Sequence, residues 1–202
     1  MAVESEVPTV VVLDAKVEDA AAITAVGADA YRLLHEAWFE MATIETIVEQ
    51  IYSVESLENC IACCRGSADA HFLVAYSGNE LAGFLHYDSF GPEPELHRIY
   101  VRPEVKRAGV GSTLMATLHD RLRPGDSYML LVAAANEPAI TFYRRHGLSE
   151  RRRVVDGLEA FRDHMGVALP PDLAPVEALV MAYVKPGATV KPRGAMPMPL
   201  TR

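Results

Sequence analysis

Along the chain the spacing of hydrophobic positions changes several times, and each change marks an element. Residues 9–13 form a short β-branched run that predicts a strand, and the alanine-rich residues 19–26 predict a helix. Across residues 31–52, Leu34, Trp38, Met41, Ile44, Val48 and Ile51 recur every three or four positions, an amphipathic helical stripe with room for breaks. The period then shortens. Residues 72–76, 81–87 and 96–101 predict three strands, the first two joined as a hairpin through residues 77–80, and Pro103 closes the third. Residues 109–122 place Val110, Leu114, Met115, Leu118 and Leu122 on one helical face, and Arg123, Pro124 and Gly125 stop that helix. Residues 129–134 are continuously apolar, as befits a strand covered on both faces. A helix from Asn136 to Gly147 follows, and residues 150–155 and 178–184 supply the last strands. Between these two, residues 156–176 carry Phe161, Met165 and three prolines and read as a helix and loop over the sheet.

Strand and helix alternate through the second half, which predicts an α/β fold, and 202 residues suit one domain with extensions. The domain is expected over residues 9–185. Residues 186–202 form a proline-rich tail, with four prolines in 17 residues and no apolar period. Deleting the tail is therefore expected to move the melting temperature by less than about 2 °C. A drop beyond about 5 °C in a thermal melt would place the tail among the stabilising elements.

Composition narrows the functional classes. The net charge of −8 argues against a nucleic-acid or anionic-membrane partner for the molecule as a whole. The longest apolar run, residues 128–135, is too short to cross a bilayer, and the acidic N-terminus lacks the pattern of a secretory signal, so a cytoplasmic location is expected. Cys60, Cys63 and Cys64 are clustered and odd in number, and no second cysteine or histidine pair is spaced to close a tetrahedral metal site. They read as plain thiols, and no metal is expected.

The electrostatics invert between Arg98 and Arg107. Arg98, Arg102, Lys106 and Arg107 face one acid, Glu104, a local charge of +3 inside an acidic chain. Gly109 and Gly111 then open a helix, leaving its first-turn amides uncovered, and such amides together with the helix dipole hold phosphate. No lysine and serine or threonine follow the glycines as a P-loop requires, and Leu114 stands where a dinucleotide fingerprint needs its third glycine. One strand later, Asn136, Ala139 or Ile140, and Tyr143 share a helical face, followed by Gly147 and Leu148.

This pair of motifs in register resembles the GNAT family of N-acetyltransferases, strongly over residues 81–148. Lys106 replaces the usual Gln or Arg of the phosphate motif, and Leu148 the usual Phe. The resemblance implies a mixed, mostly antiparallel central sheet flanked by helices, with acetyl-CoA as cosubstrate. It also implies that the backbone of Ile99, Tyr100 and Val101 pairs with the pantetheine arm like an added strand. The turn made of Lys106, Arg107, Ala108, Gly109, Val110, Gly111 and Ser112 would take the pyrophosphate. Asn136 and Ala139 would contact the cofactor arm, and Tyr143 would reach the sulfur. An amine acceptor, small molecule or peptide N-terminus, is implied, and pairing of two copies is a habit of the family.

Acetyl transfer needs a proton donor for the departing thiolate and a base for the amine, whose ordinary pKa near 10 keeps it protonated at neutral pH. Tyr143 fits the donor. For the base, Glu95 comes first and His97 second, on the expectation that both share a strand face with Ile99 and Val101 while Arg98 points away. His86 and Asp88 on the neighbouring strand are further candidates. No cysteine lies near these motifs, so direct attack in a ternary complex is expected. Glu36, Glu40, Glu45 and Glu49 would favour a cationic acceptor if they faced the site, and are otherwise the solvated face of a helix. The alternative to an enzyme is an acyl-CoA sensor or interaction module on the same fold.

Overall fold

A computed structural model describes residues 9–36, 39–155 and 175–187. Strand β1 (Val10–Asp14) leads into helices α1 (Ala20–His35), α2 (Met41–Ile51) and α3 (Val54–Cys64). Three consecutive strands follow, β2 (Ala70–Ser77), β3 (Glu80–Asp88) and β4 (Glu95–Val101), then α4 (Val110–Arg121), β5 (Ser127–Ala133), α5 (Glu137–Arg145), β6 (Ser149–Val154) and β7 (Ala178–Val184). The strands form one sheet in the order β1-β2-β3-β4-β5-β7-β6, with β4 and β5 parallel and the other neighbours antiparallel. This is the mixed, mostly antiparallel α/β sheet expected.

The alternation of side chains along the strands builds two cores, one on each face of the sheet. Ile23, Tyr31, Ile44, Tyr52, Leu57 and Ile61 of α1–α3 cover the first face over Phe72 and Phe84. Leu114, Met115 and Leu118 of α4 and Ile140 of α5 cover the second, over Leu73, Leu85 and Leu130. Each such side chain is almost fully buried and contributes about 1.5 to 3 kcal/mol of transfer free energy.

The predicted stripe over residues 31–52 divides into the end of α1 and the whole of α2, with Glu40 in extended conformation as the N-cap of α2. Helix α3 has no counterpart among the predicted elements. Its signals are present all the same: the Ser53 side chain caps the helix by accepting from Ser56 N–H at 3.2 Å, and Leu57, Ile61 and Cys64 form a buried stripe. Cys64 is buried and its thiol is pushed up to about 12, chiefly by burial, which suits an unreactive packing residue. The helix and loop read into residues 156–176 fall mostly outside the described residues, as does the tail beyond Gly187.

Candidate active site

Strands β4 and β5 touch at one point. Glu95 pairs with Met129, and the Met129 N–H bonds to the Pro94 carbonyl at 2.9 Å; beyond that pair the two parallel strands share no ladder. They diverge instead, and a cleft of about 580 Å³ lies along the gap. Arg102 N–H bonds to Ala82 O of β3 at 2.9 Å. By the alternation of antiparallel hydrogen bonding, Tyr100 also spends its backbone groups on β3, and Ile99 and Val101 turn theirs into the gap. Of the three residues expected to offer backbone to an added strand, Ile99 and Val101 face the cleft in this way, and Tyr100 borders it with its ring.

The gap pierces the sheet, so each face contributes a wall. On the α4/α5 side the lining includes Lys106, Arg107, Gly111, Asn136, Ala139 and Tyr143. Arg107 and Gly109 both have left-handed backbone, at φ 73° and 83°, which turns successive amides toward one side, the arrangement of an anion-binding nest. The first hydrogen bond of α4 is Thr113 N–H to Gly109 O, so the amides of Val110, Gly111 and Ser112 have no helical acceptor. The expectation that every amide from Arg107 to Ser112 is available needs one correction: Ala108 N–H is already donated to Val105 O at 3.1 Å. Ser112 Oγ stands 3.2 Å from His146 Nε2, a contact across the α4 and α5 ends that the sequence motifs did not single out.

Gly111 is needed for a second reason. A Cβ there would meet the Phe142 ring at 3.3 Å and the Val101 side chain at 3.6 Å. A Gly111→Leu variant is therefore expected to displace Phe142 and crowd the cradle, weakening coenzyme A binding by about tenfold or more in calorimetry. Unchanged affinity in a folded variant would place the phosphate site elsewhere.

Asn136 caps α5, accepting from Ala139 N–H at 3.2 Å through its side-chain oxygen, which leaves the amide NH2 for a ligand. Tyr143 stands one turn beyond Ala139, against Phe142 and close to Tyr100, and its hydroxyl is pushed up by burial and by the Tyr100 phenol. It therefore stays protonated through the neutral range.

The opposite wall belongs to the α1/α2 face, with Tyr31, Leu34, His35 and Phe39. Here the strand faces depart from expectation. His86 pairs with Arg98 and Tyr87 with Leu96, so His97 is the extra residue of a bulge and the alternation slips at that point. His97 consequently does not share a face with Ile99 and Val101. It sits on the side of Arg98, its Nε2 2.9 Å from Asp88 Oδ2 and its ring 4.8 Å from that of His86, which stacks on Phe72 of the first core. His97 borders the cleft; Glu95, 5% exposed and packed between Asp88 and Met129 in the ladder, is not among the described residues that do.

Two charged groups set the electrostatics of this corner, Asp88 and Arg98. Burial alone would raise the Asp88 carboxyl, but the hydrogen bond and charge of His97, the Phe90 amide and the His86 ring together bring it below the usual aspartate range. It remains an anion at neutral pH and can only accept from the ring; in the neutral tautomer of His97 that donates through Nε2–H, the lone pair lies on Nδ1. The Arg98 guanidinium, 8% exposed, donates to Ile51 O at 2.9 Å and lies 5.3 Å over the Tyr52 ring. Glu45 is held by Arg32 through bonds of 2.7 and 2.8 Å, and neither it nor Glu36, Glu40 or Glu49 borders the cleft.

A mixed sheet split between two parallel strands, with uncovered helix-start amides on one side and a buried tyrosine hydroxyl in the gap, is shaped to receive an extended ligand with an anionic end. The sequence profile of the acetyltransferase (GNAT) family matches residues 28–148. The chain belongs to that family, with acetyl-CoA as its cosubstrate. It is 25% identical over 133 residues to the spermidine N(1)-acetyltransferase of Thermoplasma acidophilum, covering 65% of this chain and 83% of the relative. It is 34% identical over 100 residues to the N-alpha-acetyltransferase RimI of Mycobacterium tuberculosis, covering 45% of this chain and 63% of that one. Among solved structures, the PaiA N-acetyltransferase of Thermoplasma acidophilum in complex with coenzyme A superimposes with a TM-score of 0.68 at 20% identity, over 87% of this chain and 99% of that one. These structural likenesses establish the fold.

Proposed function

We propose that the protein transfers the acetyl group of acetyl-CoA to a primary amine by direct attack in a ternary complex. The observation that carries this reading is the placement of His97 and Tyr143 on opposite walls of one gap, with strand amides between them. Gly111 and its neighbouring amides, with Lys106 and Arg107, hold the pyrophosphate, and Ile99 and Val101 hydrogen-bond the pantetheine arm along β4. The NH2 of Asn136 holds the same arm from the α5 side.

His97 replaces Glu95 as the base in this proposal, because it borders the cleft and Asp88 orients it. Its Nδ1 takes a proton from the amine as the new C–N bond forms. The Ile99 or Val101 amide stabilises the oxyanion that develops on the carbonyl. Tyr143 gives its proton to the sulfur as the C–S bond breaks, and exchange with water resets both residues. The burial that keeps Tyr143 protonated also raises the basicity of a thiolate beside it, so the two groups stay matched.

Thiol release from acetyl-CoA in the presence of a panel of primary amines tests the proposal. At least one amine is expected to accelerate release well above the water background. A protein that binds acetyl-CoA yet accelerates release with none of them would instead be an acyl-CoA sensor.

A further inference from the structure

The wall opposite the cofactor cradle has a chemistry of its own. Tyr31, His35 and Phe39 recur at every fourth position and their rings form a ladder. Tyr31 and His35 stack with centroids 3.8 Å apart and planes 20° apart, and His35 and Phe39 stand 6.0 Å apart at 15°. Leu33 and Leu34 extend the same surface. His35 Nδ1 lies 2.8 Å from the Tyr31 carbonyl, an N–H donor there, and burial lowers the ring's affinity for a second proton, so this step of the ladder is neutral at physiological pH.

Charge points the same way. The charged groups among the described lining residues are the cations Arg98, Lys106 and Arg107. Lys106 and Arg107 belong to the cofactor end, where a pyrophosphate neutralises them. At the acceptor end Arg98 is the cation that borders the cleft, and the Asp88 carboxylate behind His97 is engaged by that ring. A polyamine would bring two further ammonium groups onto a wall of rings and leucines with no carboxylate among its described lining residues, and each would have to be desolvated there. An amine on an uncharged ring brings one ammonium instead of three, and its ring gains the apolar and aromatic surface of this wall.

Resting on the acetyltransferase reading, we propose that the acceptor is a small arylalkyl amine, with a single amine reaching His97 and an aromatic ring lying along the Tyr31, His35 and Phe39 wall. This departs from the polyamine named for the Thermoplasma acidophilum relative. The specificity resides in a wall supplied by the end of α1 and by Phe39, outside the cofactor motifs.

The test compares phenethylamine, ethylamine and spermidine as acceptors of the full-length protein, read by thiol release at saturating acetyl-CoA. Phenethylamine is expected to exceed both others in kcat/KM by about tenfold or more, the scale of burying one ring. Leu33, half-exposed on the same wall, offers a variant with little risk to folding. Leu33→Glu should narrow the gap between phenethylamine and spermidine several-fold by supplying a carboxylate on that wall. Equal or better turnover of spermidine by the unmodified protein would overturn the proposed acceptor class while upholding acetyl transfer. Turnover of no amine despite intact acetyl-CoA binding would overturn the acetyltransferase reading, and this inference with it.

Discussion

Replacing Tyr143 by phenylalanine is expected to lower kcat by about 10² to 10⁴-fold while leaving fold and acetyl-CoA affinity unchanged. The ring and its contact with Phe142 survive in the variant, and only the hydroxyl proton is lost. Since general acid catalysis carries about 3 to 5 kcal/mol of barrier, the loss should appear in the chemical step. Water admitted to the gap would substitute in part and move the loss toward the lower end of the range. Single-turnover rates check this. A phenylalanine variant with wild-type single-turnover chemistry would make Tyr143 a packing residue and leave the donor to be found elsewhere.

His97→Gln is expected to have an effect of the same order, with a distinctive pH signature. In the unmodified protein, Asp88 is ionised throughout the neutral range and faces His97 from β3, with His86 beside it and Arg98 on β4. Protonation of an imidazole removes the lone pair that would accept the amine's proton, so kcat/KM should fall in acid and recover as pH rises. The glutamine variant keeps a donor to Asp88 but has no titrating base. Its residual activity should lose that acid limb and retain only the dependence set by protonation of the amine itself. An unchanged acid limb would assign the base elsewhere, and Glu95→Gln would then become the informative substitution. Asp88→Asn should give an intermediate phenotype, because it leaves His97 in place but removes the anion that orients it.

The sequence exposed the cofactor half of this site better than the acceptor half, for a physical reason. The proposed phosphate cradle depends on local backbone: two glycines, a helix start and nearby cations lie within one short stretch, so Gly109, Gly111, Lys106 and Arg107 can be read from spacing alone. The Asn136 and Tyr143 spacing on α5 is legible in the same way, as one face of one helix. The proposed base depends on a bulge. Strict alternation from Ile99 assigns Glu95 and His97 to one face, and the extra residue opposite β3 moves His97 to the side of Arg98, a slip that no period-two pattern contains.

The opening between β4 and β5 was equally hidden, because strand divergence is a property of two segments some thirty residues apart and leaves each strand locally ordinary. Helix α3 presents a different case. Ser53 and the stripe of Leu57, Ile61 and Cys64 announce it plainly, and Cys60, Cys63 and Cys64 belong to this ordinary amphipathic helix because its period places them there. The acidic residues Glu36, Glu40, Glu45 and Glu49 resolve into the solvated side of α1 and α2, with Glu45 engaged by Arg32, so their number says little about the acceptor.

The central claim is direct transfer between two substrates held together in one cleft. Initial velocities measured over a grid of acetyl-CoA and acceptor amine concentrations test it most directly. Double-reciprocal lines that intersect are the predicted result, since both substrates must be bound before the C–S bond breaks. Parallel lines, the pattern of an acetylated enzyme that releases its first product before the amine binds, would contradict it.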